Sequence, residues 1–175
     1  MAIYEYKGKQ PTIGKNCYIA DTADVIGNVL LGDGCYVGPG AIIRGDYGRI
    51  TIGNRTGVEE NVVIHARPGE SATIGNDVTL GHQATIHNVL LIDDFAVIGM
   101  GSVISDYATV GRWAAIGEGA VVRNRQEIPA EAIAVGIPAK IIGSVGEDYK
   151  KEWTHFKNVY VELAKTYRND LKKIS

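Results

Sequence analysis

Tryptophan and phenylalanine are scarce in this sequence: its 175 residues include two of each, against 22 glycines. That excludes a core assembled around a few bulky rings. The interior must come from many small and β-branched side chains, and a fixed-period repeat is the first pattern to look for. Long apolar runs are missing too, so no segment reaches the roughly 20 residues that span a bilayer. The opening MAIYEYKGKQP lacks the apolar stretch and cleavage site of a secretory leader. No basic block occurs and the formal net charge is −2, which argues against nucleic acid or an anionic membrane as partner. Cysteine is confined to Cys17 and Cys35; the two could pair in principle, but nothing suggests an oxidising compartment. The expectation is one soluble, cytoplasmic domain, long enough to bury a sizeable core.

What is present is a six-residue period. Ile74, Leu80, Ile86, Ile92, Ile98, Ile104, Val110, Ile116 and Val122 follow one another at that spacing without a break. Ile13, Ile19, Val25, Leu31, Val37 and Ile43 form a second run, and Ile52, Val58 and Ile64 a third. Three extra residues within GDYGRI and four within ARPGES separate the runs, and both read as short outward loops. The position two before each aliphatic is usually small, as in Ala23, Ala41, Ala84 and Ala96, and glycine often follows the aliphatic. This period matches neither a helix nor an alternating strand. It fits a triangular solenoid in which each hexapeptide makes one strand and one corner, with the aliphatic pointing inward. The expected fold is an all-β, left-handed parallel β-helix of about six rungs over 1–142, with a long C-terminal helix over 143–175. Cys17 and Cys35 take the small inward position and read as core filler. Pro138 in GIPAK marks the exit from the solenoid. Ser144 and Glu147 then offer a capping box, and Trp153, Phe156, Tyr160, Leu163, Tyr167 and Leu171 a helical stripe for the β-helix or a neighbouring subunit. His155 falls off that stripe and is expected to face solvent.

The register also sorts the remaining histidines. His65 follows Ile64 and His87 follows Ile86, the same place one rung apart, so the two stack at roughly the 4.8 Å inter-strand spacing. His82 lies two residues after Leu80, on a different face. Three-fold cyclic packing would bring His82 of one chain to His65 and His87 of the next, in three equivalent sites. A three-histidine set with an open fourth position is the pattern of a catalytic zinc site. Taken singly, each histidine reads first as a polar surface residue; three of the four meeting at one intersubunit point, in the middle rungs, reverses that preference. Arg44 shares the column of His65 and His87 one rung earlier; with Asp46 it could orient a site or clamp a trimer. Glu59 and Glu60 lie one rung below His82, where carboxylates beside a cation are expected to ionise readily.

IIRGD (42–46), VVIHA (62–66), IGNDVTLGHQATIH (74–87), AVIGMGS (96–102) and VGIPAKII (135–142) together resemble the γ-class carbonic anhydrases and their relatives over essentially the whole chain. The resemblance implies a homotrimer with metal at its interfaces, two histidines from one chain and one from its neighbour: His65, His87 and His82. The ion would be Zn2+, with Fe2+ or Co2+ as alternatives. Arg44 and Asp46 match an interface pair needed for assembly and activity. Glu59 stands where the family usually carries a glutamine that hydrogen-bonds the water at the metal, and Gly57 where asparagine is common. Tyr160 matches a helix tyrosine that reaches the site, and equally well belongs to the apolar stripe. The acidic proton-shuttle loop of the family's prototype is absent, and only Glu70 in ARPGES could substitute.

The function so implied is reversible hydration of CO2 to bicarbonate. Three alternatives stay open: hydrolysis of an acyl-CoA thioester at the same metal, metal-free acyl transfer with a histidine as general base, and a non-catalytic assembly role. The departure at Glu59 bears on all of them, because an ionised carboxylate only accepts hydrogen bonds whereas a glutamine also donates.

Overall fold

A computed structural model describes residues 2–174. Each hexapeptide adds a short strand and a corner, and three return the chain to a point one rung above its start. The inward aliphatics fall into three columns: Ile43, Ile64, Ile86 and Ile104 on the first face, Ile52, Ile74 and Ile92 on the second, and Val58, Leu80 and Ile98 on the third. All are essentially fully buried, so the core is a stack of branched side chains with alanines at its corners. Pairing is parallel from rung to rung, as in a left-handed hexapeptide β-helix. Lys140–Ser144 pairs antiparallel, folding back on Ala132–Val135 after the turn at Pro138, and Tyr6 and Lys9 form an isolated antiparallel bridge.

The solenoid has about seven turns, so it runs one rung further than the periodicity suggested. Ile128 and Ala134 continue the inward columns. Gln126 two before Ile128, and an alanine in place of a larger aliphatic at 134, hide this continuation from a reading by hydrophobic period. The first insertion also differs from expectation. GDYGRI is not a loop but part of one continuous strand, Ile42–Ile52, which pairs with Asp24–Leu31 below it across a register shift at Gly27/Val29. Only the second insertion, after His65, leaves the ladder as a turn.

The corners explain why each turn can be tight. Three residues after the inward aliphatic, Arg55, Asp77, Phe95, Trp113 and Glu131 adopt left-handed φ values of 51–62°. Such a conformation is costly for residues other than glycine. Here each amide is satisfied by the rung below: Arg55 donates to Asp33 O, Asp77 to Asn54 O and Phe95 to Asn76 O, at 2.7, 2.9 and 3.0 Å. Neighbouring Asp33, Asn54, Asn76 and Asp94 side chains accept the amides of Lys15, Asp33, Asn54 and Asn76, forming a second ladder along the same edge.

A helix spans Glu147–Asp170 and lies on the third face, against the strands Tyr18–Ile19, Tyr36–Val37 and Gly57–Val58. Its N-cap is Gly146 without a side-chain cap, so the anticipated Ser144–Glu147 capping box does not form; Ser144 is held in the last strand. The inward line also shifts by one residue from the apolar stripe. Lys157 and Ala164 are buried, Phe156 is 44 % exposed and Leu171 lies beyond the helix. His155 faces solvent as expected. Among the described residues, no helix is long and apolar enough to cross a membrane.

Candidate functional site

Arg44, His65 and His87 meet on the first face through strict register: Arg44 pairs with His65 and His65 with His87. The two imidazole centroids are 5.4 Å apart. Arg44 and Asp46 are joined within the chain, Nη1 to Oδ2 at 2.7 Å. Asp46 Oδ1 also approaches His65 Nε2, at 3.4 Å, without forming a hydrogen bond. That ring nitrogen is buried and makes no well-formed hydrogen bond, the Asp46 carboxylate being its nearest polar neighbour. Burial, and next the Arg44 cation, push the His65 pKa down, while Asp46 opposes them; the ring is held neutral. A neutral imidazole with an unused nitrogen is the state that binds a cation.

His87 shows the complementary feature. Its Nδ1 lies 3.1 Å from Asp106 Oδ1, and Asp106 is gripped by Arg67 through Nε and Nη2 at 2.5 and 3.2 Å. The Arg67 hydrogen bond is the largest cause holding the Asp106 carboxyl down to about 2, with His87 adding to it against some burial. An ionised Asp106 accepting from Nδ1–H leaves the lone pair on Nε2, the orientation that metal-ligating histidines adopt. Neither Arg67 nor Asp106 emerged from the sequence. Arg67 sits in the second insertion, where the period gives no register, and Asp106 lies outside the outward column of Arg44, His65 and His87.

His82 occupies the corner after Thr79–Leu80, away from the other two, as its register required. Among the described residues of one chain, no three His, Cys, Asp or Glu side chains gather as a cation site. Glu60 Oε2 lies 2.5 Å from His82 Nδ1, while its Oε1 accepts the Tyr36 hydroxyl at 2.8 Å. Glu59 Oε2 lies 3.3 Å from His82 Nε2 and accepts the His82 backbone N–H at 3.1 Å. Burial, opposed by His82 and by a hydrogen bond with Tyr160, raises the Glu59 pKa. Burial, with the adjacent Glu59 adding to it, likewise keeps the Tyr160 phenol protonated. Gly57 faces the Tyr160 ring, whose Cβ is 3.9 Å from where a side chain at Gly57 would begin, so a bulkier residue would crowd the tyrosine. Gln83 and Glu70 are exposed, on a corner and on the second insertion.

Between the helix and the third face a cleft of about 560 Å3 runs up to Glu59, His82 and Tyr160, with Ile98, Ile116, Trp153 and Phe156 among its walls. Beneath the helix Lys157 is buried at 3 % exposure. Its Nζ donates to Thr79 Oγ1 at 3.0 Å and Ala96 O at 3.3 Å, under the Trp153 ring.

The bacterial transferase hexapeptide family (six repeats) matches residues 10–45. A carbonic anhydrase of Geobacillus kaustophilus is 37 % identical over 166 residues, covering 95 % of this chain and 91 % of the relative. Among solved structures, the product of the BC4754 gene of Bacillus cereus superposes with a TM-score of 0.93 at 35 % identity, over 95 % of this chain and 96 % of that one. A hexapeptide transferase family protein of Anaplasma phagocytophilum gives 0.90 at 26 % identity, over 95 % and 98 %.

Proposed function

Because the chain belongs to the γ-class carbonic anhydrase-like family of hexapeptide-repeat proteins, we propose that it catalyses the reversible hydration of CO2 to bicarbonate at sites shared between the subunits of a homotrimer. The observation that carries the reading is the buried Nε2 of His65, which makes no well-formed hydrogen bond, beside His87, whose Nδ1 faces Asp106. His65 and His87 of one subunit and the corresponding His82 of another would hold a divalent cation, zinc or alternatively ferrous iron or cobalt. When bound, such a cation lowers the pKa of water so that hydroxide is available to attack CO2 near neutral pH.

The chain's own residues supply the rest. Asp106 and Glu60 fix the tautomers of His87 and His82, each anchored by a donor, Arg67 and Tyr36. Arg44 and Asp46 hold the edge of the histidine column. Glu59 is buried beside His82, where its carboxyl can exchange a proton with the site.

Stopped-flow CO2 hydration on protein loaded separately with zinc and, anaerobically, with ferrous iron tests the reading. Activity that disappears in His82→Ala supports it; a protein that holds metal and is inactive with both rejects it. The apolar cleft ending at Glu59 and His82 favours one second reading, hydrolysis of an acyl thioester. Turnover of acyl-CoA by the metal-loaded protein that fails on CO2 would select that reading.

A further inference from the structure

The only two thiols of the chain play no part in the proposed chemistry. Cys17 and Cys35 hold equivalent inward positions in consecutive rungs: the residues that follow them pair as Tyr18 with Tyr36 and Ile19 with Val37. The Tyr18 amide donates to Cys35 O at 2.9 Å, which places the two backbones in adjacent strands of a parallel ladder. Adjacent strands lie about 4.8 Å apart, inside the roughly 4.4–6.8 Å of Cα separation that a disulfide spans. Each thiol donates to a backbone carbonyl, Cys17 Sγ to Gly32 O at 3.0 Å and Cys35 Sγ to Gly53 O at 3.1 Å.

Their surroundings differ. Cys35 is fully enclosed. Cys17 is partly open and forms part of the wall of a cleft of about 760 Å3 at the end of the C-terminal helix, where Arg168, Lys172 and Lys173 supply three cations and Asp21 one carboxylate. The Cys17 pKa is lowered to about 7, chiefly by the Cys35 thiol beside it and against burial, while the Cys17 thiol and burial keep Cys35 protonated. The equivalent inward positions elsewhere carry Ala23, Ala41, Ala84 and Ala96.

We propose that Cys17 and Cys35 are a thiol–disulfide exchange pair that reacts with small anionic disulfides, Cys17 attacking and Cys35 resolving. The Cys17 thiolate displaces one thiolate from the small disulfide and forms a mixed disulfide. Cys35 then attacks the Cys17 sulfur, and its proton passes to the second small thiolate as that group departs. The Cys17–Cys35 bond forms, and the second small thiolate leaves. Two protein thiols are oxidised, one small disulfide is reduced to two thiols, and the first two rungs become covalently clipped.

The test uses the full chain, folded, with dithiobis(nitrobenzoate) as the anionic disulfide and intact-mass measurement of the product. Wild type should release two equivalents of the coloured thiolate, keep no adduct and lose the mass of two hydrogens. Cys35→Ala should release one equivalent and keep it as an adduct; Cys17→Ala should stay unreactive until unfolded. Alanine already fills the equivalent inward position in other hexapeptides, so both variants are expected to fold, and their circular dichroism checks this. An adduct retained on wild type, or Cys17→Ala reacting as fast as wild type, overturns the proposal. CO2 hydration does not enter the measurement, so the pair stands or falls separately from the histidine site.

Discussion

Lys157 departs furthest from its residue's ordinary chemistry. Desolvation beneath the helix lowers its pKa to about 7, although Asp77 and Glu59 pull the other way. The unfolded chain keeps that proton up to the ordinary 10.5, whereas the folded chain gives it up from about 7, so the unfolded state binds more protons in between. Stability should therefore rise with pH from about 7 to 9.5, with a limiting slope of about 1.4 kcal/mol per pH unit. Urea unfolding across that range should show the rise in wild type and its loss in Lys157→Met; an unchanged slope in the variant would refute the assignment. Asp106 is the second residue whose role rests on one contact. Asp106→Ala leaves His87 Nδ1 without its acceptor and should weaken metal binding about 10–100-fold, measured by competition with a chromophoric chelator. Equal affinity in the variant would mean that Asp106 only anchors Arg67.

At the scale of the element, the hexapeptide is constrained at both its inward residue and the glycine after it. A Cβ on Gly53 would sit 2.6 Å from the carbonyl carbon and oxygen of Gly75, backbone atoms that cannot yield without breaking the ladder. Gly53→Ala should cost about 1–3 kcal/mol, and roughly 2–4 °C of melting temperature for each of them. Gly143→Ala, with no atom within 4 Å of the new methyl group, should unfold within about 0.5 kcal/mol of wild type. Calorimetry on the pair separates close rung packing from a general intolerance of glycine loss. The strands were legible because this packing repeats: Ile64 and Ile86 take the same environment one rung apart, so their sequence spacing is their spatial register. The helix was less legible. An apolar stripe finds the inward side of a helix, but docking turned Phe156 outward and buried Lys157, since the aliphatic stem of a lysine packs as well as an apolar side chain once its amine has acceptors.

The whole molecule decides whether the histidines form one site. His65 and His87 share a column while His82 stands on another face, so in the proposed trimer each site draws on two subunits. His65→Ala and His82→Ala should each be inactive alone. Unfolded together and refolded as mixed trimers, they should regain part of the CO2 hydration activity, because some interfaces then pair an intact His65–His87 column with an intact His82. Mixtures as inactive as either parent would place all three histidines within single chains or outside the chemistry.

The sequence by itself determined the solenoid, the inward columns and the stacking of Arg44, His65 and His87, because a six-residue period converts linear spacing directly into position. It also separated His82 from the other two. Only the tertiary structure decided that Asp106 and Arg67 orient His87, that Glu59 is buried against Tyr160, and that Lys157 lies beneath the helix. These contacts join the repeat to an insertion, a corner or the docked helix. No period relates such segments, so their proximity is fixed by packing between parts of the chain far apart in sequence.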